Sequence, residues 1–176
     1  MEGAEQGFDC GAGVRFTPDE LAAANINPVT WLATDYLNHF NNVVMLLELI
    51  PDMPDMADEI VAWEPVSYTG YFAQSHFRER DLAIAAFHAA DRTVKRGFEA
   101  AIDELDSAMT DAQALVSGGN PGDQEVAHHI RVLVAERLKP LISRAGGIVN
   151  GMPSLASLAD QPLVGTAQDS IDELFP

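Results

Sequence analysis

The chain has 176 residues, enough for one domain with a substantial core, and its composition of 47% hydrophobic and 21% charged residues is typical of a globular protein. A formal net charge of −17 argues against binding to nucleic-acid phosphates or anionic membranes. No apolar stretch approaches the roughly 20 residues that cross a bilayer, and the acidic N-terminus does not have the pattern of a secretory signal. The single cysteine, Cys10, excludes an intramolecular disulfide. We therefore expect a cytoplasmic protein.

Capping residues and prolines mark the ends of the first predicted helices. Thr17-Pro-Asp-Glu20 is a capping box, which predicts a short helix from residue 18 to about residue 25. Asn27 and Pro28 are a cap and a first helical residue, so a long helix is predicted over residues 28–50, where Pro51 ends it. A second short helix is predicted over residues 54–63.

Three more long helices are predicted, over residues 68–90, 92 to about 117, and 123 to about 145. Gly146 and Gly147 are expected to end the last of them, and Pro140 to kink it. The stripe of the helix over residues 92–117 has no charged interruption, which indicates plain core packing.

Four long helices without any strand signal predict an all-α fold. Its expected form is an up-down-up-down four-helix bundle with short accessory helices at the N-terminal side and an irregular C-terminal tail. The predicted organisation is a flexible leader (residues 1–16), a helical bundle (17–150) and a tail with a short terminal helix (151–176).

Five polar residues fall on or beside the apolar stripes of three predicted helices: Asp35, His39, His76, Glu79 and Arg137. In an up-down-up-down bundle they lie at similar heights, within a slab of about 9 Å at a rise of 1.5 Å per residue. Burying an unpaired charge costs several kcal/mol, so these groups must satisfy one another or bind something. The sequence thus predicts a polar layer in the core.

Three interpretations of this polar layer stay open. Glu79 can pair with Arg137 while His39 bonds to Asp35. The layer can instead be a pocket for a small organic ligand or anion. It can also hold a divalent metal ion, with Asp35, His39, His76 and Glu79 as ligands, although the charge of Arg137 opposes a cation.

The C-terminal segment from Gln168 to Phe175 is acidic and amphipathic, with Ile171, Leu174 and Phe175 on one side. These eight residues resemble the acidic docking peptides by which bacterial flagellar-switch proteins and the chemotaxis phosphatase bind the chemotaxis response regulator. The resemblance implies an adaptor that docks a partner protein through this peptide. The alternative is a terminal helix that folds back onto its own bundle.

The leading functional hypothesis is a helical-bundle binding protein whose polar layer holds a metal ion or small ligand. The second is a bacterial signalling adaptor, and the third is a metal-dependent or acid–base enzyme. Large apolar residues also lie on nominally outer helix faces: Trp31, Met45, Leu49, Phe77 and Ile84. They predict a homodimer that uses these faces, or else cover from the short helices and the tail.

Overall fold

The computed structural model describes residues 16–152, and within this range the protein is all-α, without a named β-strand. The helices are α1 (Pro18–Ala23), α2 (Asn38–Leu49), α3 (Ala57–Val61), α4 (Tyr68–Gln74), α5 (Arg80–Ala89), α6 (Arg92–Gly118), α7 (Gln124–Leu133) and α8 (Lys139–Val149). Short 3₁₀ segments precede α2 and α3, at Thr34–Leu37 and Pro54–Met56. None of these described helices is long and apolar enough to span a lipid bilayer.

The capping signals read from the sequence are confirmed at α1 and α6. Thr17 Oγ1 accepts a hydrogen bond from the Glu20 amide at 3.2 Å, and the Glu20 carboxylate accepts one from the Thr17 amide at 2.9 Å. At the start of α6, Asp91 Oδ1 accepts from the Thr93 amide at 2.7 Å. Both helices begin where these side chains satisfy free backbone amides.

The helix predicted over residues 28–50 begins later than expected. Asn27 does cap, because its Oδ1 accepts from the amides of Val29 and Thr30 at 2.9 and 3.1 Å, but it caps only a turn. Trp31 then has a positive φ of 61°, which a continuing right-handed helix cannot contain. The α-helical part therefore starts at Asn38, after the 3₁₀ segment.

The helix predicted over residues 68–90 is broken into α4 and α5. Ser75 Oγ donates to the Phe72 carbonyl at 2.9 Å and accepts from the Phe77 amide at 3.3 Å, while its ψ of 158° takes the backbone out of the helix. Serine offers the backbone such an alternative to the helical bonding pattern. The break leaves His76 and Glu79 in the connection between α4 and α5 instead of on a helix.

The last helical stretch runs through α7 and α8 with a π-helical turn, Val134–Leu138, between them. This turn stands just before Pro140, where the missing amide interrupts the regular bonding pattern. Gly146 and Gly147 do not end the helix as predicted; α8 continues to Val149, and the left-handed residue after it is Gly151, with a φ of 77°.

The long helix α6 packs against α3, α7 and α8. It buries one face, with Phe98, Ala101, Ile102, Leu105, Ala108, Met109, Ala112 and Val116. From the same helix Gln113 Nε2 reaches the end of α3, within 2.7–3.1 Å of the carbonyl oxygens of Ile60, Val61 and Trp63. An aromatic cluster of Tyr36, Phe40, Tyr68, Phe72 and Phe98 fills the core beside α6.

Candidate functional site

The expectation that Glu79 and Arg137 form a buried ion pair is wrong. Arg137 extends from the π-helical turn and pairs with Asp111 of α6, with 45% of its side chain exposed. Glu79 stands at the start of α5 with a side chain 44% exposed, and its carboxylate lies 3.5 Å from the guanidinium of the adjacent Arg78. Both charges are solvated, so neither needs the other as a partner.

The other three members of the predicted layer also lie apart. Asp35 accepts a hydrogen bond from Asn25 Nδ2 at 2.7 Å, and His76 is exposed in the connection between α4 and α5. His39 Nε2 donates to the Glu64 carbonyl at 3.1 Å, and its ring stacks on Trp63 at a centroid distance of 4.8 Å. Burial against Trp63 lowers the pKa of His39, although the bond to Glu64 opposes this shift.

The predicted four-ligand metal site fails for the same reason. The prediction assumed that His76 and Glu79 lie on one continuous helix, whereas the break at Ser75 places both in the connection between α4 and α5. Across residues 16–152, no three His, Cys, Asp or Glu side chains are grouped so that they could hold a metal ion.

The structure instead contains a cavity of about 380 Å³ beside α6, which we call the α6 cavity. This volume lies within the range of small-molecule sites. Its lining comes from α4, α5, α6, the 3₁₀ segment before α2 and the loop before α4: Tyr36, Pro65, Val66, Ser67, Tyr68, Thr69, Phe87, Phe98, Glu99, Ile102, Asp103 and Asp106.

Four aromatic rings form the apolar part of this wall. The Tyr36 hydroxyl donates to the Val66 carbonyl at 2.7 Å, and the Tyr68 oxygen accepts from the Ala33 amide at 2.8 Å. Tyr68 stacks on Phe87 at 4.5 Å, and Phe98 lies 5.9 Å from both tyrosine rings. These bonds to the backbone fix the positions of both tyrosines, so their rings contribute carbon surface to the cavity.

Three carboxylates of α6 form the polar part of the wall. Glu99 and Asp103 are exposed, which places them on the solvent side of the cavity, whereas Asp106 is half-buried. Asp106 Oδ1 is shielded from solvent and has no hydrogen-bond partner among the described residues. A buried acceptor without a partner is costly, so this oxygen is ready to receive a donor from a ligand or water.

The surroundings in the cavity also shift the pKa values of groups that line it. Burial, and secondarily the nearby charge of Asp103, raises the pKa of Asp106 to about 6. Burial, and secondarily the charge of Asp106, raises the pKa of Tyr36 above its ordinary value. None of the described lining residues is basic, although Lys95 Nζ lies near the ring of Phe87, so the lining itself offers carboxylates and aromatic rings.

This combination of groups suits a positively charged organic ligand. An ammonium group is attracted to the faces of aromatic rings, and the attraction grows where water is excluded. A carboxylate adds a charge-assisted hydrogen bond to the same ammonium. Lys95 of α6 already makes such a contact with one of the lining rings, because its Nζ lies 5.9 Å from the centre of the Phe87 ring.

Reasoning from the sequence missed this cavity, and it described α6 as plain core packing. Asp106 lies at the edge of the α6 stripe, four residues after Ile102 and three before Met109. With Glu99 and Asp103 it forms an acidic row beside that stripe, which was the available signal. Phe98 belongs to the same stripe, but Tyr36, Tyr68 and Phe87 come from other segments, and no periodicity indicates that they meet α6 here.

The residues predicted to form a dimer face divide into two groups. Trp31 is buried, with its ring 5.5 Å from Phe16, and Phe77 and Ile84 pack partly against the core. Met45 and Leu49 are exposed by 55% and 44%. The predicted partner-binding residues Ile171, Leu174 and Phe175 lie outside the described residues, so their role stays a prediction.

The fold and the site together define an all-α protein with an aromatic, acidic cavity. Comparisons of the chain with protein-family models, curated proteins and solved structures gave no significant match. The functional argument therefore depends on the chemistry of the cavity.

Proposed function

We propose that this chain is a binding protein that holds a small organic cation in the α6 cavity. The observation that carries the proposal is the buried Oδ1 of Asp106, which lies beside aromatic rings and has no hydrogen-bond partner within residues 16–152. The net charge of −17 supports it, because an acidic surface raises the local concentration of cations and steers them towards the protein. This keeps the leading hypothesis of a small-ligand binding protein and moves its site from the predicted polar layer to α6.

The test compares a charged ligand with a neutral one of the same length. Butylammonium should bind the full chain measurably by titration calorimetry, and butanol at least about tenfold more weakly, which corresponds to about 1.4 kcal/mol. Because the pKa of Asp106 is about 6, the affinity for butylammonium should rise between pH 5 and pH 8 as this carboxyl ionises.

Two variants locate the binding site. Asp106→Asn should weaken butylammonium binding by about tenfold, since it removes a charge-assisted hydrogen bond. Glu125→Gln removes one negative charge from an exposed position of α7, outside the cavity lining, and should leave the affinity nearly unchanged. Equal affinities for butanol and butylammonium, or equal effects of the two variants, would contradict the proposal.

A second proposal is the adaptor function of the C-terminal peptide, which the acidic amphipathic pattern of Ile171, Leu174 and Phe175 supports. Deleting residues 166–176 should leave the melting temperature nearly unchanged and abolish capture of a partner protein. If the segment folds back onto the bundle, the same deletion lowers the melting temperature, because roughly 1.5–3 kcal/mol is lost for each large apolar side chain that is exposed.

We propose the up-down-up-down arrangement for the long helices, and a homodimer in which the exposed Met45 and Leu49 of α2 contribute to the interface. The enzymatic hypothesis takes third place, with Asp106 as its acid–base group, because a raised carboxyl pKa in a cavity is a feature of catalytic sites.

A further inference from the structure

The carboxylates of the α6 cavity are arranged in a row along the helix axis. Glu99, Asp103 and Asp106 are separated by four and three residues, so they share one side of α6. At 1.5 Å per residue, the axial rise is about 6 Å between the first two and about 4.5 Å between the last two. We call these three residues the acidic ladder.

The acidic ladder runs from solvent into the protein. Glu99 and Asp103 are exposed, whereas Asp106 is half-buried and its Oδ1 is shielded without a hydrogen-bond partner in the described part of the chain. Ile102 and Phe98 line the cavity beside the ladder. A ligand along this wall therefore meets alternating carboxylate and apolar surface.

We propose that the ligand of the α6 cavity is a linear diamine or polyamine that lies along the acidic ladder. This inference rests on the proposed organic-cation function and specifies its ligand class. One ammonium group bonds to Asp106 at the inner end, a chain of methylene groups lies against the aromatic and aliphatic side chains, and a second ammonium pairs with Asp103. A chain of three or four methylenes spans roughly one helical turn, which is the separation of neighbouring rungs.

A compact quaternary ammonium ion would make fewer polar contacts in this cavity than a diamine. It fits among aromatic rings but has no N–H to donate, so Asp106 Oδ1 would stay without a hydrogen bond. It also carries one charge, which leaves the outer carboxylates without a partner. The ladder therefore favours primary amines with charges spaced along a chain.

The experiment measures the affinities of the full chain for butylammonium, tetramethylammonium and the diammonium ions of propane, butane and hexane by titration calorimetry at pH 8. The propane or butane ion should bind roughly three- to tenfold tighter than butylammonium, because the added pair with Asp103 is partly solvated. Tetramethylammonium should bind more weakly than butylammonium. Asp103→Asn should reduce the diamine affinity to that of butylammonium while changing the butylammonium affinity little.

The outcomes separate this inference from the function on which it rests. If butylammonium binds but no diamine binds tighter, or if Asp103→Asn weakens both ligands equally, the ladder inference is wrong and organic-cation binding stands. If tetramethylammonium binds best, the ligand is a compact cation and the inference again fails. If no cation binds, both proposals fail. Glu125→Gln removes a charge outside the cavity and should lower all affinities equally and slightly. If Glu125→Gln reduced the preference for diamines over butylammonium as much as Asp103→Asn does, the ladder inference would also be contradicted.

Discussion

Replacing Tyr36 with alanine is expected to lower the free energy of unfolding by about 3–5 kcal/mol, as for other large aromatic side chains truncated in a core. Tyr36 is 1% exposed, and its ring lies within 6 Å of the rings of Phe40, Tyr68, Tyr71 and Phe98. The change removes these contacts and leaves the Val66 carbonyl without its donor. Urea unfolding followed by circular dichroism measures the loss.

A second variant of Tyr36 separates the contribution of its ring to stability from that of its hydroxyl group, and a variant of Val29 is the control. Tyr36→Phe keeps the ring and deletes the 2.7 Å hydrogen bond to Val66, so we expect a loss of about 1 kcal/mol. Val29→Ala truncates a side chain that is 81% exposed and should change stability by less than about 0.5 kcal/mol. If Tyr36→Ala were as mild as Val29→Ala, the aromatic cluster would not be the core of this fold.

Asp106→Asn is expected to stabilise the protein at neutral pH, by about 1–2 kcal/mol once the partial exposure of this carboxyl is allowed for. Its pKa is raised from 3.8 to about 6, so the folded state holds the proton more tightly than the unfolded state. The stabilising contribution of the protonated carboxyl is full below pH 3.8 and is lost as the pH rises through 6. Asparagine is neutral at every pH, so the variant does not lose this contribution to stability as the pH rises.

The stability difference between Asp106→Asn and the natural chain should therefore grow from about pH 4 to pH 7 and then level off. Urea titrations over this range measure it without added amine, since a bound cation would also stabilise the carboxylate. Asp52→Asn removes one negative charge at an exposed position in the turn after α2 and is the matched control for the loss of charge. A flat profile for Asp106→Asn would mean that the carboxyl is fully solvated.

The parts of the fold that sequence predicted well depend on local chemistry. Thr17 and Asp91 bond to amides two or three residues away, so the helix starts that they predict are confirmed. The extent of α6 followed from an apolar stripe and a glycine pair at its end. The all-α class followed from the same periodicity.

Other features depend on choices that the local sequence leaves open. Ser75 can point to solvent within a helix or bond to its own backbone and end it, and the structure has the second arrangement. Trp31 takes a positive φ that its residue type disfavours, and tertiary contacts with Phe16 cover its ring. The break at Ser75 places His76 and Glu79 in the connection between α4 and α5, and Arg137 pairs with Asp111, so the predicted polar layer does not assemble.

The candidate site could be predicted only in part. The acidic row of α6 is visible in the sequence. The aromatic wall of the cavity depends on Tyr36, which lies 70 residues before Asp106, and on Phe87, which lies 19 residues before it. Their meeting is a property of helix packing rather than of any periodic pattern.

The contact between Gln113 and the end of α3 has a consequence for the order of folding. The α3 helix has five residues, too few to be stable alone, and the side chain that bonds to its last carbonyls is 50–53 residues further along the chain. At synthesis rates of about 5–20 residues per second, roughly 3–10 seconds separate the emergence of α3 from that of Gln113. During translation, the end of α3 therefore lacks these hydrogen bonds until α6 has been made.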